Sequence, residues 1–238
     1  MNQLTQQPMS VFSSLYTGLT WLNRQELRQF VWAPVLINFF LYGTVLVLGG
    51  HYVDVAITHF IPNWLGWLEF ILWPLYFVLF FMLGFFTFGL LANLIASPFY
   101  GLLSLKVRRL LRPDAQMLDE PGVGQMFLAE LTKLVYFLTR AVPIVIISFI
   151  PVVNIIAPLL WALFGAWSLA VEYAAYPLEN RGWLFARQRE HLTARRLPAL
   201  SFGALVLAGM TLPLANILVA PVAVIAATLW LESESDAT

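Results

Sequence analysis

Residues 30–50 read FVWAPVLINFFLYGTVLVLGG and contain no charged side chain. A helix formed by this stretch reaches roughly 31 Å, which is the thickness of one hydrocarbon core. A second apolar stretch, residues 70–97, is long enough to cross a bilayer with some tilt. The sequence therefore predicts a helical hairpin of two transmembrane helices.

The composition points to the same class of protein. Of the 238 residues, 60% are hydrophobic and 11% are charged, which is more apolar side chain than one soluble core of this size encloses. We therefore expect an all-α integral membrane protein in which residues 1–238 form a single membrane domain. The 13 basic and 13 acidic residues balance, so nothing suggests a nucleic-acid partner.

Motifs for catalysis and metal binding are missing from the sequence. It has no Cys, three scattered His, no phosphate-binding G-x-x-x-x-G-K-[ST] motif and no G-x-S-x-G motif. We therefore expect no metal, no cofactor and no enzymatic activity.

Residues 51–69, between the two predicted helices, contain Asp54 and Glu69 but no Lys or Arg. Cytoplasmic loops of membrane proteins are enriched in Lys and Arg, so this loop is predicted to lie on the non-cytoplasmic side. Trp side chains favour the membrane interface, and three lie in this loop or close to it: Trp64, Trp67 and Trp73.

Two further apolar regions, residues 141–176 and 199–231, are each interrupted near the middle by a Pro-x-x-Asn pattern. The first interruption reads IPVVNIIAP at 150–158, and the second reads LPLANILVAP at 212–221. Pro removes a backbone donor and disfavours helix in the residue before it, and Asn tolerates turn conformations. We therefore predict two helical hairpins, whose turns contain Pro151, Asn154, Pro213 and Asn216.

The distribution of basic residues favours hairpins that enter the membrane and return to the same side. A single crossing by each broken region would place the arginines of residues 181–196 outside, against the positive-inside rule. Arms of about 10–14 residues are typical of re-entrant segments. Four full crossings by the two regions would also keep every basic cluster inside, and this alternative stays open. With the hairpins returning, residues 105–140 form a cytoplasmic helical connection and both termini are cytoplasmic.

Re-entrant turns place polar backbone at membrane depth, where it must be buried in protein or face water. The Pro-x-x-Asn turns are therefore candidates for bordering a permeation path, and the need to shield them favours a homo-oligomer. The tail, residues 232–236, is short and acidic, and we expect it to fray.

The segment ahead of the first predicted span, residues 17–24, combines small and hydroxyl side chains with arginine. Free N–H groups at a helix start and guanidinium groups both favour a tetrahedral oxyanion. The alternative is that the arginines are ordinary positive-inside anchors and that the glycine only marks a helix boundary, and because such anchors are common the composition alone favours this alternative. The candidate anion-binding segment is residues 17–24 together with Arg28, with Arg24 and Arg28 as its charged donors.

Glu172 lies at the end of the third apolar region, four residues before Tyr176. A carboxylate near the membrane is costly and is often paired or functional. The interfacial position of Glu172 favours a structural role, in which it snorkels to water or pairs with Arg, over a role in a pore.

The chain also resembles the CysZ-type sulfate permeases of the bacterial inner membrane over nearly its whole length. The resemblance rests on short motifs that occur in the same order: Gly18-Leu19-Thr20-x-Leu22, Arg28-x-Phe30, Pro34-x-x-x-Asn38, Ala96-Ser97-Pro98-Phe99, Gly101-Leu102-Leu103, Tyr173-x-x-Tyr176-Pro177-x-x-Asn180, Phe202-Gly203-Ala204, Pro213-x-x-Asn216 and Pro221-Val222-Ala223. Each motif is weak alone, but together and in order they are specific.

This resemblance implies two long membrane-spanning helices, two pairs of partly penetrating helices, and sulfate uptake that supplies cysteine biosynthesis. It also implies that Gly18, Leu19, Thr20, Leu22 and Arg28 form a sulfate-associated motif, which favours the anion site over the anchor alternative. With Arg24 from the same segment, these are the candidate sulfate-binding residues.

The chain departs from the family pattern at two places. Leu105 followed by Lys106 stands where relatives often carry an acid, and Ala175 stands where they tend to have Asp. A charge network inferred for the family therefore cannot be assumed here. Whether Glu172 takes the place of a missing acid stays open.

The sequence leaves a second function open, in which the protein does not transport but organises lipids or protein partners through its arginine-rich cytoplasmic face. Anionic lipid surfaces attract such residues by about 1 kcal/mol each. The expected partners are therefore sulfate and membrane lipids.

Overall fold

The computed structural model describes residues 9–113, 123–212 and 216–234. Eight α-helices occur within these described residues, with a 3-10 helix in two of the connections. The α-helices are α1 Val11–Trp21, α2 Arg28–Phe60, α3 Glu69–Leu111, α4 Val123–Phe149, α5 Ala157–Glu179, α6 Phe185–Ala194, α7 Arg196–Met210 and α8 Asn216–Glu234. The prediction of an all-α protein is confirmed for the part of the chain that the structure describes.

The chain divides into two compact units. One unit is Gln29–Phe99, which holds nearly all of α2 and the first part of α3. The other combines Met1–Arg28 with Tyr100–Thr238, as far as these residues are described.

The unit Gln29–Phe99 is a hairpin whose helices are longer than the sequence suggested. Helix α2 continues to Phe60, so the loop prediction for residues 51–69 is wrong in its first half. The reason is local: residues 51–60 contain neither Gly nor Pro, and the helix ends shortly before Pro62. The 3-10 helix Asn63–Leu68 then leads into α3.

The two helices of this hairpin are joined by tyrosine hydroxyl groups. The Tyr76 hydroxyl donates a hydrogen bond to the carbonyl oxygen of Leu46 at 2.6 Å. A Cβ atom at Gly49 would lie 2.7 Å from that hydroxyl oxygen, so glycine permits the close approach.

Five helical segments among the described residues are long and apolar enough to cross a membrane: Arg28–Phe60, Trp64–Gly84, Gly124–Phe149, Val153–Glu179 and Ile217–Glu234. Helix α7 is apolar but has only 15 residues. The composition and length of these helices are those of a multi-pass membrane protein.

The first Pro-x-x-Asn pattern breaks the helix where the sequence predicts. Helix α4 ends at Phe149, Val152 has a φ of 71°, and a 3-10 helix, Val153–Ile156, precedes α5. A positive φ is unusual for a β-branched residue and marks a sharp turn. In the second pattern, α7 ends at Met210 and α8 begins at Asn216.

The helices beside the first break are longer than the short arms expected from the sequence. Helix α4 has 27 residues and α5 has 23. In α4, residues 123–140 carry charged groups but no Pro, and they continue the apolar helix without a break. The expectation of arms of about 10–14 residues is therefore wrong for α4 and α5. It was based only on the apolar part of each helix.

Helix α8 lies at the centre of the second unit and packs against α1, α5 and α7. Its residues 223–227 are fully buried on every face. The Trp230 ring stacks on Phe202 of α7 with centroids 5.8 Å apart. Helix α7 in turn crosses α5 so closely that a Cβ atom at Gly203 would overlap the Ala166 carbonyl oxygen.

The first residues of the acidic tail are ordered in α8, contrary to the expectation from the sequence. Glu232 and Ser233 are buried, and α8 continues through Glu234. The expectation of a frayed tail is wrong for these residues, because their side chains have partners elsewhere in the chain. The remaining tail residues lie outside the described part.

Candidate functional site

Arginines 24 and 28 lie on the turn between α1 and α2. The Arg28 amide donates to the Arg24 carbonyl oxygen at 3.0 Å, so the two residues are one helical turn apart. The Arg24 guanidinium lies 3.8 Å from the centre of the Trp21 ring, and Leu27 is fully buried. We call Asn23–Arg28 the arginine turn.

Within the described part of the chain, neither guanidinium group of the arginine turn has an acidic partner. Among the described residues, no carboxylate oxygen lies within 4.0 Å of Arg24 or Arg28. Arg24 is half-buried and Arg28 is exposed. Two cationic forks without an internal anion are able to bind an external one.

The amides of Gly18 to Leu22 do not take part in the way expected from the sequence. Gly18 to Trp21 form the last turn of α1, and the Leu22 amide donates to the Gly18 carbonyl oxygen at 3.1 Å. The Thr20 hydroxyl donates to the Thr17 carbonyl oxygen at 2.8 Å. This is a helix end rather than a helix start, so the prediction of free amides at residues 18–22 needs correction.

Gly18 has a packing role instead. A Cβ atom at Gly18 would lie 3.0 Å from the Val222 carbonyl oxygen and 3.2 Å from the Ala226 Cβ atom. Glycine therefore lets α1 approach α8 closely. Leu19 and Thr20 are exposed beside it.

Unused backbone donors occur a few residues later, within the arginine turn. Among the described residues, the amides of Asn23, Gln25 and Glu26 donate no backbone hydrogen bond. The last two lie at the start of the helical turns that lead into α2. Free amides at such a position favour an anion, and here they accompany the two arginines.

A second group of arginines surrounds Glu232 of α8. The Arg181 Nη2 atom lies 2.8 Å and the Arg108 Nε atom 3.4 Å from Glu232 Oε1, and the Arg112 Nε atom lies 3.3 Å from Oε2. The side chains of Glu232, Arg108, Arg112 and Arg181 are 3%, 13%, 30% and 11% exposed. We call these four residues the arginine pocket.

The arginine pocket also caps the C-terminal end of α8. Arg181 donates to the Leu231 carbonyl oxygen at 3.0 Å, and Arg112 donates to the Glu232 carbonyl oxygen at 2.8 Å. Cationic side chains at a helix C-terminus stabilise it, because the free carbonyl groups there carry partial negative charge. Arg112 and Arg181 therefore contact both the carboxylate and the end of the helix, whereas Arg108 donates to the Asn180 carbonyl oxygen at 2.8 Å.

Glu234 forms a neighbouring ion pair with Arg195, the residue between α6 and α7. The Arg195 Nε atom lies 2.7 Å from Glu234 Oε2, and the His191 Nε2 atom lies 4.0 Å from the same oxygen. Burial, followed by the positive charges of Arg195, Arg181 and Arg187, lowers the pKa of His191 to about 4. His191 is therefore neutral at pH 7.

Among the described residues, Glu172, Pro151 and Asn154 form no hydrogen bond or ion pair with Arg24 or Arg28. Glu172 is exposed and pairs with Lys133 at 3.6 Å, which fits the structural role favoured from the sequence. Pro151 and Asn154 are exposed in the turn between α4 and α5. Asn216 is the first residue of α8, and Pro213 lies outside the described residues.

Sequence reasoning missed the arginine pocket. Its members come from α3, the connection after α5, and α8, and no local spacing links positions 108, 181 and 232. One signal was available: Glu232 follows the long apolar run of the last helix, where an unpaired acid is costly.

Comparison with known proteins identifies the relatives of the chain. The family described as "Sulfate transporter CysZ/Etoposide-induced protein 2.4" matches residues 14–221. A protein named "Sulfate transporter CysZ" from Pseudomonas fluorescens (strain Pf0-1) is 39% identical over 229 residues, which cover 91% of this chain and 90% of the relative. A protein of the same name from Pseudomonas syringae pv. tomato (strain ATCC BAA-871 / DC3000) is 39% identical over 225 residues, covering 91% and 89%. A third, from Pseudomonas paraeruginosa (strain DSM 24068 / PA7), is 35% identical over 232 residues, covering 92% and 93%.

Proposed function

The chain belongs to the sulfate transporter CysZ/etoposide-induced protein 2.4 family, and from this premise we propose that it carries sulfate across the bacterial inner membrane and supplies cysteine biosynthesis. The relatives are named as transporters, so the expectation that the protein is no enzyme is confirmed. The observation that carries the proposal is the pair of arginines, Arg24 and Arg28, one helical turn apart and without a carboxylate within 4.0 Å among the described residues.

Sulfate recognition is assigned to the arginine turn. Sulfate carries two charges and is strongly hydrated, so a selective site needs several N–H donors to replace its water. The guanidinium groups of Arg24 and Arg28 provide charged donors, and the free amides of Asn23, Gln25 and Glu26 provide neutral ones. Chloride is a single atom with one charge and gains less from such an array.

The preceding motif residues act by placing this turn. Gly18 brings α1 against α8, and the Leu22 amide closes the last turn of α1 just ahead of Arg24. Leu19 and Thr20 lie exposed on the same turn of α1, next to the proposed sulfate site. In this proposal the Gly-Leu-Thr-x-Leu segment sets the position of the arginines rather than donating to the anion itself.

For the membrane arrangement we retain two long spanning helices, α2 and the first part of α3, and two hairpins that enter and return, α4–α5 and α7–α8. Both this arrangement and four full crossings keep the basic residues of the chain, including Arg181 and Arg187, on the cytoplasmic side. The 15-residue helix α7 supports the re-entrant arrangement for the second hairpin, because a helix of that length reaches about 23 Å and does not cross a hydrocarbon core. Both termini are then cytoplasmic. Translocation passes the turns at Pro151–Asn154 and Pro213–Asn216.

The proposal includes a homo-oligomer, which is supported by apolar surfaces that remain exposed in the described part of the chain. The apolar window of α4 has no buried residue, and Val152 and Ile155 in the turn are 79% and 77% exposed. Lipid can cover the apolar side chains, but the irregular backbone of the turn needs protein or water. A second copy of the chain provides that cover.

The proposal is tested by uptake of radiolabelled sulfate into proteoliposomes that contain only the purified protein. We expect saturable uptake that excess unlabelled sulfate abolishes and that equal concentrations of chloride or phosphate leave nearly unchanged. Empty vesicles are the control. Absence of uptake with correctly inserted protein would contradict the proposal and favour a role in organising lipids or protein partners.

A further inference from the structure

The carboxylate of Glu232 occupies a site built for an anion. Arg181 donates to Oε1 through both Nε and Nη2, at 3.2 and 2.8 Å, while Arg108 and Arg112 approach the two oxygens at 3.4 and 3.3 Å. The carboxylate is almost fully buried, and the arginines around it are at most 30% exposed. Three guanidinium groups thus converge on one acceptor.

The arginine pocket needs an anion at all times. Among the described residues, Arg108 and Arg181 have no carboxylate other than Glu232 within 4.0 Å. The Arg108 Nε atom is buried and forms no hydrogen bond, although it is within ion-pair distance of Glu232. Leaving buried guanidinium groups without a counter-ion is strongly unfavourable, so the carboxylate can leave only if another anion takes its place.

Sulfate has the chemistry to take that place. Its oxygen atoms accept hydrogen bonds from arginine forks as carboxylate oxygens do, and it carries a second negative charge. Glu232 lies in the last turn of α8, and helix ends open locally at lower free energy than helix centres. The carboxylate can therefore withdraw without unfolding the buried middle of the helix.

The arginine pocket is separate from the arginine turn. Gly18 contacts α8 at Val222, ten residues before Glu232, and this spacing corresponds to about 15 Å along a helix axis. Between Val222 and Glu232 on α8, Thr228 forms a buried hydroxyl pair with Ser104 of α3, with oxygens 2.9 Å apart.

We propose that the arginine pocket is a second sulfate site, which the Glu232 carboxylate occupies at rest and from which arriving sulfate displaces it. This inference rests on the proposed transport of sulfate. The tethered carboxylate acts as a competitor that helps sulfate leave: when Glu232 returns, it displaces the bound anion. The returning carboxylate thereby prevents sulfate from staying bound to the three arginines.

The test compares Glu232→Gln with Glu234→Gln, two variants that each remove one negative charge from the end of α8. Binding of radiolabelled sulfate to purified protein is measured in an Arg28→Ala background, which removes the first site. In the native protein, sulfate must displace the tethered carboxylate, and this competition raises the apparent Kd above the intrinsic value. We therefore expect Glu232→Gln to lower the Kd by about tenfold or more, and Glu234→Gln to leave it unchanged.

Equal sulfate affinity in the two variants would overturn the proposal and leave Glu232 as a structural ion-pair partner only. If Glu232→Gln does not fold, Glu232→Asp keeps the charge but shortens the side chain by one methylene, and a smaller fall in Kd is expected. An unchanged Kd in folded Glu232→Asp would equally overturn it.

The outcome separates this inference from the proposed function. Tighter sulfate binding by Glu232→Gln, combined with no uptake by the native protein in proteoliposomes, would keep the second site and reject transport. Uptake by the native protein, with no effect of Glu232→Gln on sulfate binding, would support transport and reject the second site.

Discussion

The two groups of arginines differ in what their charges face. In the arginine turn, Arg24 and Arg28 have no acidic partner among the described residues and lie near the surface. In the arginine pocket, Arg108 and Arg181 are nearly buried around Glu232. The guanidinium groups are therefore open to an external anion in the arginine turn, whereas in the arginine pocket they are neutralised by a buried carboxylate of the chain itself.

The largest difference between the two groups is expected in stability. Arg181→Ala leaves Glu232 buried without its closest partner, at 2.8 Å, and should lower the free energy of unfolding by about 3 kcal/mol. Arg28→Ala removes an exposed side chain and should change it by less than about 0.5 kcal/mol. Denaturant unfolding in detergent measures both changes. Equal losses of the free energy of unfolding in the two variants would contradict the difference between the two groups of arginines.

The close approach of α1 to α8 provides an intermediate test. In Gly18→Val the new side chain meets the Val222 carbonyl oxygen, because even a Cβ atom would lie 3.0 Å from it, and the helices must move apart. We expect a loss of about 1–3 kcal/mol in the free energy of unfolding. Gly124→Val is the matched control, because a Cβ atom at Gly124 has no neighbour within 4 Å. Similar losses in the two variants would refute a packing role for Gly18.

The smallest effect concerns pH at the end of α8. The pKa of His191 is lowered to about 4, first by burial and then by Arg195, Arg181 and Arg187. Between about pH 6.5 and 4, His191 is therefore protonated in the unfolded chain but neutral in the folded protein. The contribution of neutral His191 to the free energy of unfolding is complete above about pH 6.5 and decreases as the pH falls towards 4. The melting temperature of His191→Asn should fall less than that of the native protein between pH 7 and 5. An identical slope in both proteins would rule out this contribution.

The sequence located the elements of the fold better than their ends. Pro151 and Asn154 mark the turn between α4 and α5 because Pro and Asn act locally, and the structure breaks the helix there. The extent of α2 beyond residue 50 was missed, because a stretch with Asp54 can stay helical although it is no longer apolar.

In the candidate sites, the sequence identified residues that lie close together along the chain but missed contacts between distant ones. Arg24 and Arg28 could be singled out because they lie close together in the sequence. The roles of Gly18 and Glu232 depend on contacts with Val222 and Arg181, which are distant along the chain, and hydrophobic periodicity carries no information about such pairs. Burial of Glu232 turned an apparently loose acidic tail into the centre of an ion-pair cluster.

Sulfate uptake by Arg28→Ala in proteoliposomes tests the central claim most directly. The matched control is Arg196→Ala, which removes an exposed arginine at the start of α7, away from the arginine turn. We expect Arg28→Ala to lose most of the uptake and Arg196→Ala to retain it, with both proteins inserted and folded like the native one. Native uptake by Arg28→Ala, with unchanged sulfate affinity, would contradict the assignment of sulfate recognition to the arginine turn.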